Sequence, residues 1–160
     1  MNYNLEHYVY INLLKLGHEV KFHGYKDRLG KLANFVRMTI TRFKPARDLA
    51  NVIWLNHINE EIKNIAKKFS PDLILTIKGE WVRPKTIEWL KKELGAKTAL
   101  WYPDDPRFFG SLVRYIAPEY DYVFTASKNA ISRYKELGIK HVYRLPFGCE
   151  PTVHRRINLI

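Results

Sequence analysis

The chain has 160 residues, of which 46% are hydrophobic and 14% aromatic, a length and composition that suit one domain with a sizeable core. Its formal net charge of +11 favours contact with phosphate groups, whether of a nucleic acid, an anionic lipid or a nucleotide. The single cysteine, Cys149, excludes a disulfide within the chain and a four-cysteine zinc site, and the absence of a signal-peptide pattern or a long apolar run leads us to expect a cytoplasmic protein.

Three places in the chain repeat one pattern, in which a helix with apolar residues at helical spacing ends in Leu-Gly and a strand-like run follows two residues later. A glycine at that position suits the left-handed conformation that ends many helices. The three helix ends are Leu16-Gly17, Leu94-Gly95 and Leu137-Gly138. The pattern predicts strands over residues 19–23, 97–102 and 141–144.

The segment 25–47 is strongly basic. It holds seven Lys and Arg residues against the single acid Asp27, and it places Leu32, Phe35, Val36, Thr39 and Phe43 at helical spacing. This composition predicts a basic amphipathic helix. The helix binds a polyanion in one interpretation and is only a solvated charged face in the other, and the sequence leaves both open.

A long helix is predicted over residues 47–69, and it is followed by strands over residues 72–77 and 121–125. Both of these strands are near-continuous apolar runs, which are typical of strands covered on both faces. Helices and strands therefore alternate through most of the chain. We expect an α/β fold, with a doubly wound, mostly parallel, Rossmann-like sheet in one domain and no linker.

In an open parallel sheet, ligands bind beyond the carboxyl ends of the strands, so the residues that follow each strand are the candidate site. Asp104 and Asp105 follow the strand at 97–102 and lie between two prolines. Two carboxylates there suit a general base or a group that holds sugar hydroxyls. The alternative is an Asx turn that caps a helix beginning near Ser111. A metal site is unsupported, because no third acid is in local register.

Weaker candidates follow the other strands. Ser127 has the character of a helix N-cap, with anion capture as its functional alternative. Gly148 either permits a tight turn that lets the backbone approach a ligand, or belongs to a turn with no binding role. Cys149 would need an activating base to act as a nucleophile, and its neighbour Glu150 would raise the pKa of the thiol. The dinucleotide, P-loop, serine-hydrolase and HExxH patterns do not occur.

The order of four motifs is similar to a known family. The motifs are LGHEV, DLILTIKGEW, KTALWYPDDP and YDYVFTASKNAISRYKELGIKHVYRLPFGCEPTVHR. Together they cover nearly the whole chain, which resembles the N-terminal half of CgeB-type glycosyltransferase-like proteins, known as spore maturation proteins. The resemblance implies a Rossmann-like acceptor-side domain of the GT-B architecture over residues 1–150. Residues 151–160 would begin the connection to a donor domain.

The activity that this resemblance implies is transfer of a sugar from a nucleotide sugar to an acceptor hydroxyl, without an essential metal or other cofactor. It implies Asp104 and Asp105 as catalytic residues, and it implies a substrate-binding rim made of Lys78, Glu80, Arg107, Ser127 and Gly148. Two features depart from the family pattern: Met1 falls at the helix that follows the family's first strand, and residues 151–160 would only begin the connection to a donor half. We therefore expect a domain that is incomplete for catalysis alone, and that is either a piece of a longer chain or works with a donor-domain partner chain or as a homodimer.

The alternative hypothesis comes from another functional class. It is a non-catalytic module that uses residues 26–47 to bind a nucleic acid or an anionic membrane surface.

Overall fold

The computed structural model of the protein describes residues 5–24, 44–151 and 153–154. The elements of these segments, in chain order, are α1 (Leu5–Lys15), α2 (Lys44–Phe69), β1 (Leu73–Ile77), α3 (Pro84–Leu94), β2 (Lys97–Tyr102), a π-helical turn (Phe109–Val113), α4 (Arg114–Ile116), a 3-10 turn (Ala117–Glu119), β3 (Tyr122–Thr125), α5 (Ala130–Glu136) and β4 (Val142–Arg144). None of the helices in these segments has the length and apolar character needed to cross a membrane.

The four strands of the described segments form one sheet in the order β1-β2-β3-β4, and every pair of neighbours is parallel. The registers pair Ile77 with Trp101 and Tyr102 with Thr125, so the carboxyl ends of β1, β2 and β3 meet at one edge. This arrangement confirms the predicted α/β, Rossmann-like fold class. It also brings the loops that follow these strands side by side.

The helix ends predicted from the Leu-Gly pattern are confirmed. Gly17, Gly95 and Gly138 all have positive φ angles, of 87°, 65° and 82°. At the end of α3 the N–H of Gly95 donates to the carbonyl of Lys91, which gives one of the last helical carbonyls a partner. At the other end of α3, Pro84 lies in the first turn, where its missing N–H costs nothing.

One hydrophobic core lies between the sheet and the helices on one of its faces. Leu100 and Tyr102 of β2 and Val123 of β3 point to this face, and all three are fully buried. They pack with Leu90 of α3 and Tyr134 of α5. The core therefore fixes β2 and β3, the two strands that carry most of the candidate site.

The strand predicted over residues 19–23 is wrong, because the structure has no strand at residues 18–24. The expectation that β1 is covered on both faces is also wrong, since Leu73 and Leu75 are 56% and 37% exposed. A β-strand needs a neighbour for its backbone hydrogen bonds. Among the described residues, β1 pairs only with β2 and lies at the edge of the sheet, and residues 18–24 pair with no strand.

The basic segment predicted over residues 25–47 falls mostly outside the described residues. Only its last four residues are described, and they form the start of α2, which begins at Lys44. The predicted polyanion interface at 26–47 therefore stays a prediction.

Candidate functional site

Two neighbouring loops at the carboxyl edge of the sheet are joined by an ion pair. Lys78, the first residue after β1, donates its backbone N–H to the carbonyl of Trp101 at 2.9 Å, which extends the β1–β2 pairing by one step. Its side-chain Nζ lies 2.6 Å from Oδ2 of Asp104, in the loop after β2. The sequence-predicted residues Lys78 and Asp104 are therefore in direct contact.

The backbone of Lys78 is held in an uncommon conformation. Its φ angle is +68°, and the next residue, Gly79, has a φ of +73°. A side chain in this left-handed region costs roughly 1–2 kcal/mol. Strain of this kind persists where the surrounding structure enforces it, and it is often found at binding sites. Here it turns the ammonium group of Lys78 across the strand end toward Asp104.

The Lys78–Asp104 pair is only partly shielded from solvent, with side chains that are 31% and 32% exposed. The hydrogen bond to Asp104 raises the pKa of Lys78, and nearby Glu80 adds to that effect against the opposing effect of burial. Lys78 therefore stays protonated at neutral pH. The pair presents an ammonium donor and a carboxylate acceptor side by side at the rim.

Asp105 has a different environment from its neighbour. Its Oδ2 accepts hydrogen bonds from Oγ1 of Thr125 and from the hydroxyl of Tyr134, both at 2.7 Å. Its Oδ1 is buried and has no hydrogen-bond partner within the described part of the chain. Burial raises the pKa of Asp105, although the two hydroxyls and Arg133 act in the opposite direction. Asp105 thus ties the loop after β2 to β3 and α5.

The side chains of Asp104 and Asp105 do not form the Asx turn that was the alternative prediction for this pair. The helical turn after the loop begins at Phe109, and no side chain caps it. Both carboxylates instead bind partners from other elements, Asp104 on Lys78 and Asp105 on Thr125 and Tyr134. The two acids therefore have tertiary roles that a local turn would not need.

The prediction that Ser127 caps a helix is wrong, because α5 begins later, at Ala130, and its N-cap residue Asn129 makes no side-chain cap bond. Ser127 is nevertheless linked to the acids through its backbone. Its N–H donates to Oγ1 of Thr125 at 3.1 Å, and that hydroxyl donates to Asp105.

Of the other predicted rim residues, only Arg107 is bonded to the acid pair in the described part of the chain, and only through its backbone N–H, which donates to the carbonyl of Asp104 at 3.3 Å. Glu80 and Arg107 are exposed, and the guanidinium of Arg107 lies over the ring of Phe108 at 5.3 Å. Gly148 is exposed, has no left-handed backbone, and has no atom within 4 Å of the position that a Cβ would occupy. Glycine is therefore not required there on steric grounds.

Three residues of the site were not among the sequence candidates: Thr125, Tyr134 and Tyr102. Thr125 is the last residue of β3, so its place at a strand end was a usable signal. Tyr134 has the helical spacing of a core residue, and its ring is indeed buried, so nothing in the pattern marks its hydroxyl. Tyr102 ends β2, and its buried hydroxyl has no partner among the described groups.

The tyrosines around Asp105 are held in their neutral form. Burial, together with the charges of Glu80, Asp104 and Asp105, raises the pKa of Tyr102 to about 12. Burial and the bond to Asp105 raise the pKa of Tyr134 as well. Both hydroxyls are therefore hydrogen-bond donors throughout the physiological range.

The two tyrosines give a matched pair of stability predictions. Tyr134→Phe should lower the free energy of unfolding by about 1–2 kcal/mol, because Asp105 loses a donor in a buried position. Tyr102→Phe should leave it unchanged or raise it by about 1 kcal/mol, because it removes a buried hydroxyl that has no partner among the described residues. Urea denaturation of both variants at pH 7 tests this. Equal losses would show that the Tyr102 hydroxyl has a partner after all.

Within the described residues, no group of three or more His, Cys, Asp or Glu side chains is placed to hold a metal ion. Comparisons of the chain with protein-family models, with curated proteins and with solved structures found no match.

Proposed function

We propose that this chain is the acceptor-side domain of a GT-B-type glycosyltransferase, and that it binds a hydroxylated acceptor at the carboxyl edge of β1 and β2. The observation that carries the proposal is the Lys78–Asp104 ion pair beside Asp105, at the edge where parallel sheets bind ligands. The resemblance of the WYPDDP loop and its neighbouring motifs to CgeB-type proteins supports the same assignment. The nucleotide-sugar donor would be held by a second domain, in the same protein or in a partner chain.

The chemistry of the pair suits a hydroxyl ligand. A hydroxyl group donates one hydrogen bond and accepts others. The carboxylate of Asp104 can accept the hydroxyl proton while the ammonium of Lys78 donates to the hydroxyl oxygen. In a glycosyl transfer, a carboxylate in this place accepts the proton that the acceptor oxygen loses as it bonds to the anomeric carbon of the donor. The bond from that carbon to the phosphate oxygen breaks at the same time, and the nucleotide leaves with the electron pair.

The local charge argues for a neutral ligand at this site. The chain as a whole carries +11. The charged groups predicted at the rim, together with the two that act on them, carry three positive and four negative charges, a formal total of −1: Lys78, Arg107 and Arg133 against Glu6, Glu80, Asp104 and Asp105. A polyanion would be attracted to other parts of the surface rather than to this edge.

The proposal is tested by titrating the ¹⁵N-labelled chain with methyl α-D-glucopyranoside and related simple methyl glycosides while amide shifts are recorded. We expect saturable shifts at the amides of residues 78–80 and of Asp104, Asp105 and Arg107. The variant Asp104→Asn should weaken the binding about tenfold, since a hydrogen bond to a charged group is worth roughly 1.5–3 kcal/mol.

A matched control is Asp72→Asn, which removes an exposed carboxylate just before the opposite end of β1 and should leave the binding unchanged. The polyanion hypothesis predicts a different result. A short DNA duplex would then shift amides elsewhere, with an affinity that falls steeply as salt is added. Binding of the duplex together with no response to any glycoside would contradict the proposed function.

A further inference from the structure

We propose that the two adjacent acids have different roles, in which Asp104 contacts the hydroxyl of the ligand and Asp105 is a positioning residue that holds the loop at residues 103–107. This assignment rests on the proposed function for its first half. Its second half concerns the loop itself and does not depend on any ligand.

The accessibility of the carboxylate oxygens separates the two residues. Asp104 is about one-third exposed, and its only hydrogen-bond partner among the described side chains is Lys78, which uses one of its oxygens. The oxygens of Asp105 are occupied or enclosed, with Oδ2 bonded to two hydroxyls and Oδ1 buried. Only Asp104 therefore offers a carboxylate oxygen to a molecule that arrives at the rim.

The bonds of Asp105 show what the fold needs from this residue. Thr125 is the last residue of β3 and Tyr134 lies in α5, so one oxygen of Asp105 joins the loop after β2 to two other elements. Both partners are fully buried, which makes the junction rigid. Because Asp104 precedes Asp105 directly, this junction also sets where the carboxylate of Asp104 meets Lys78.

The junction needs an acceptor oxygen and does not need a negative charge. The charged groups that face Asp105 are Arg133 and Asp104, whose effects on its ionisation oppose each other, and burial disfavours its charged form. The side-chain oxygen of an asparagine can accept the same two hydroxyl bonds. A ligand-contacting carboxylate, in contrast, would lose its function when replaced by asparagine.

The experiment compares Asp105→Asn, Asp105→Ala and Asp104→Asn in the ¹⁵N-labelled full chain, first without ligand. We expect Asp105→Asn and Asp104→Asn to keep the amide signals of residues 107–109 near their wild-type positions. Asp105→Ala should displace these signals, and so should Thr125→Val combined with Tyr134→Phe. Unchanged signals in both Asp105→Ala and the double variant would overturn the positioning role.

The second part titrates the same variants with methyl α-D-glucopyranoside. We expect Asp105→Asn to bind within about threefold of the wild type, and Asp104→Asn and Asp105→Ala to bind at least about tenfold more weakly. A tenfold loss in Asp105→Asn with an undisturbed loop would show that Asp105 itself contacts the ligand, and would overturn the division of roles. A wild type that binds no glycoside would overturn the proposed function and the role of Asp104, while the loop signals would still decide the role of Asp105.

Discussion

Replacing Gly79 by alanine should lower the free energy of unfolding by about 2–4 kcal/mol, the sum of a backbone cost and a packing cost. The backbone cost arises because Gly79 has a φ of +73°, which residues with a Cβ rarely adopt. The packing cost arises because a Cβ would lie only 3.2 Å from side-chain atoms of Leu100 and Thr76 and 3.3 Å from Ile116. Two of these neighbours belong to the core, so they have little room to move.

Gly95 provides a control that isolates the packing cost. Its φ is +65°, almost that of Gly79, but nothing lies within 4 Å of the position of its Cβ. Gly95→Ala should therefore cost only about 1 kcal/mol. Chemical denaturation of the two variants under the same conditions gives the comparison. Equal losses would show that the contacts around Gly79 relax without cost and that only its backbone conformation matters.

The same substitution bears on the site, because Gly79 follows Lys78 directly. A chain that shifts to relieve the contacts at Gly79 also moves the residue whose ammonium meets Asp104. The amide signals of residues 78–80 in Gly79→Ala therefore report whether the turn has moved. Gly95 ends α3, away from these two loops, and its replacement should leave the signals in place.

The local elements could largely be predicted from the sequence, because their signals are local. Apolar spacing and a terminal glycine define the helix that ends at Gly95, and a short apolar run defines β2. The strand predicted at residues 19–23 failed because strand formation depends on a partner elsewhere in the chain, and the pattern of a segment contains no information about its partner. In the same way, the apolar run of β1 contains no information about which elements pack on each face of the strand, so Leu73 and Leu75 were expected to be covered although they are exposed.

The site shows the same division between local and non-local information. The acids Asp104 and Asp105 could be found because ligands of parallel sheets bind at strand ends, a rule that needs only the sequence. Their different environments could not be predicted, since these depend on which loop lies next to each carboxylate. Tyr134 is the clearest case: its spacing shows that the ring is buried, but only the structure shows that its hydroxyl reaches Asp105.

Replacing Asp121 by alanine should lower the free energy of unfolding by about 2–4 kcal/mol, because two buried donors lose their acceptor. Thr98 is fully buried at the amino-terminal end of β2. Its backbone N–H and its hydroxyl both donate to Oδ2 of Asp121, at 2.8 and 3.0 Å, while Lys91 lies 3.0 Å from Oδ1. Asp121→Asn keeps an oxygen for Thr98 but loses the charge and the oxygen that faces Lys91, so it should cost about 1 kcal/mol.

The charge of Asp121 makes this contribution depend on pH. Burial alone would raise the pKa of Asp121, but the hydrogen bonds from Lys91 and Thr98 outweigh it and hold the pKa below its ordinary value of 3.8. Ionised Asp121 therefore stabilises the fold fully above the unfolded-state pKa, and the stabilisation is lost as the pH falls through the lower pKa of the folded state. The difference between the wild type and Asp121→Asn should thus shrink as the pH is lowered from about 5 to about 2. A difference that stays constant over this range would mean that the charge of Asp121 and its pairing with Lys91 do not supply it.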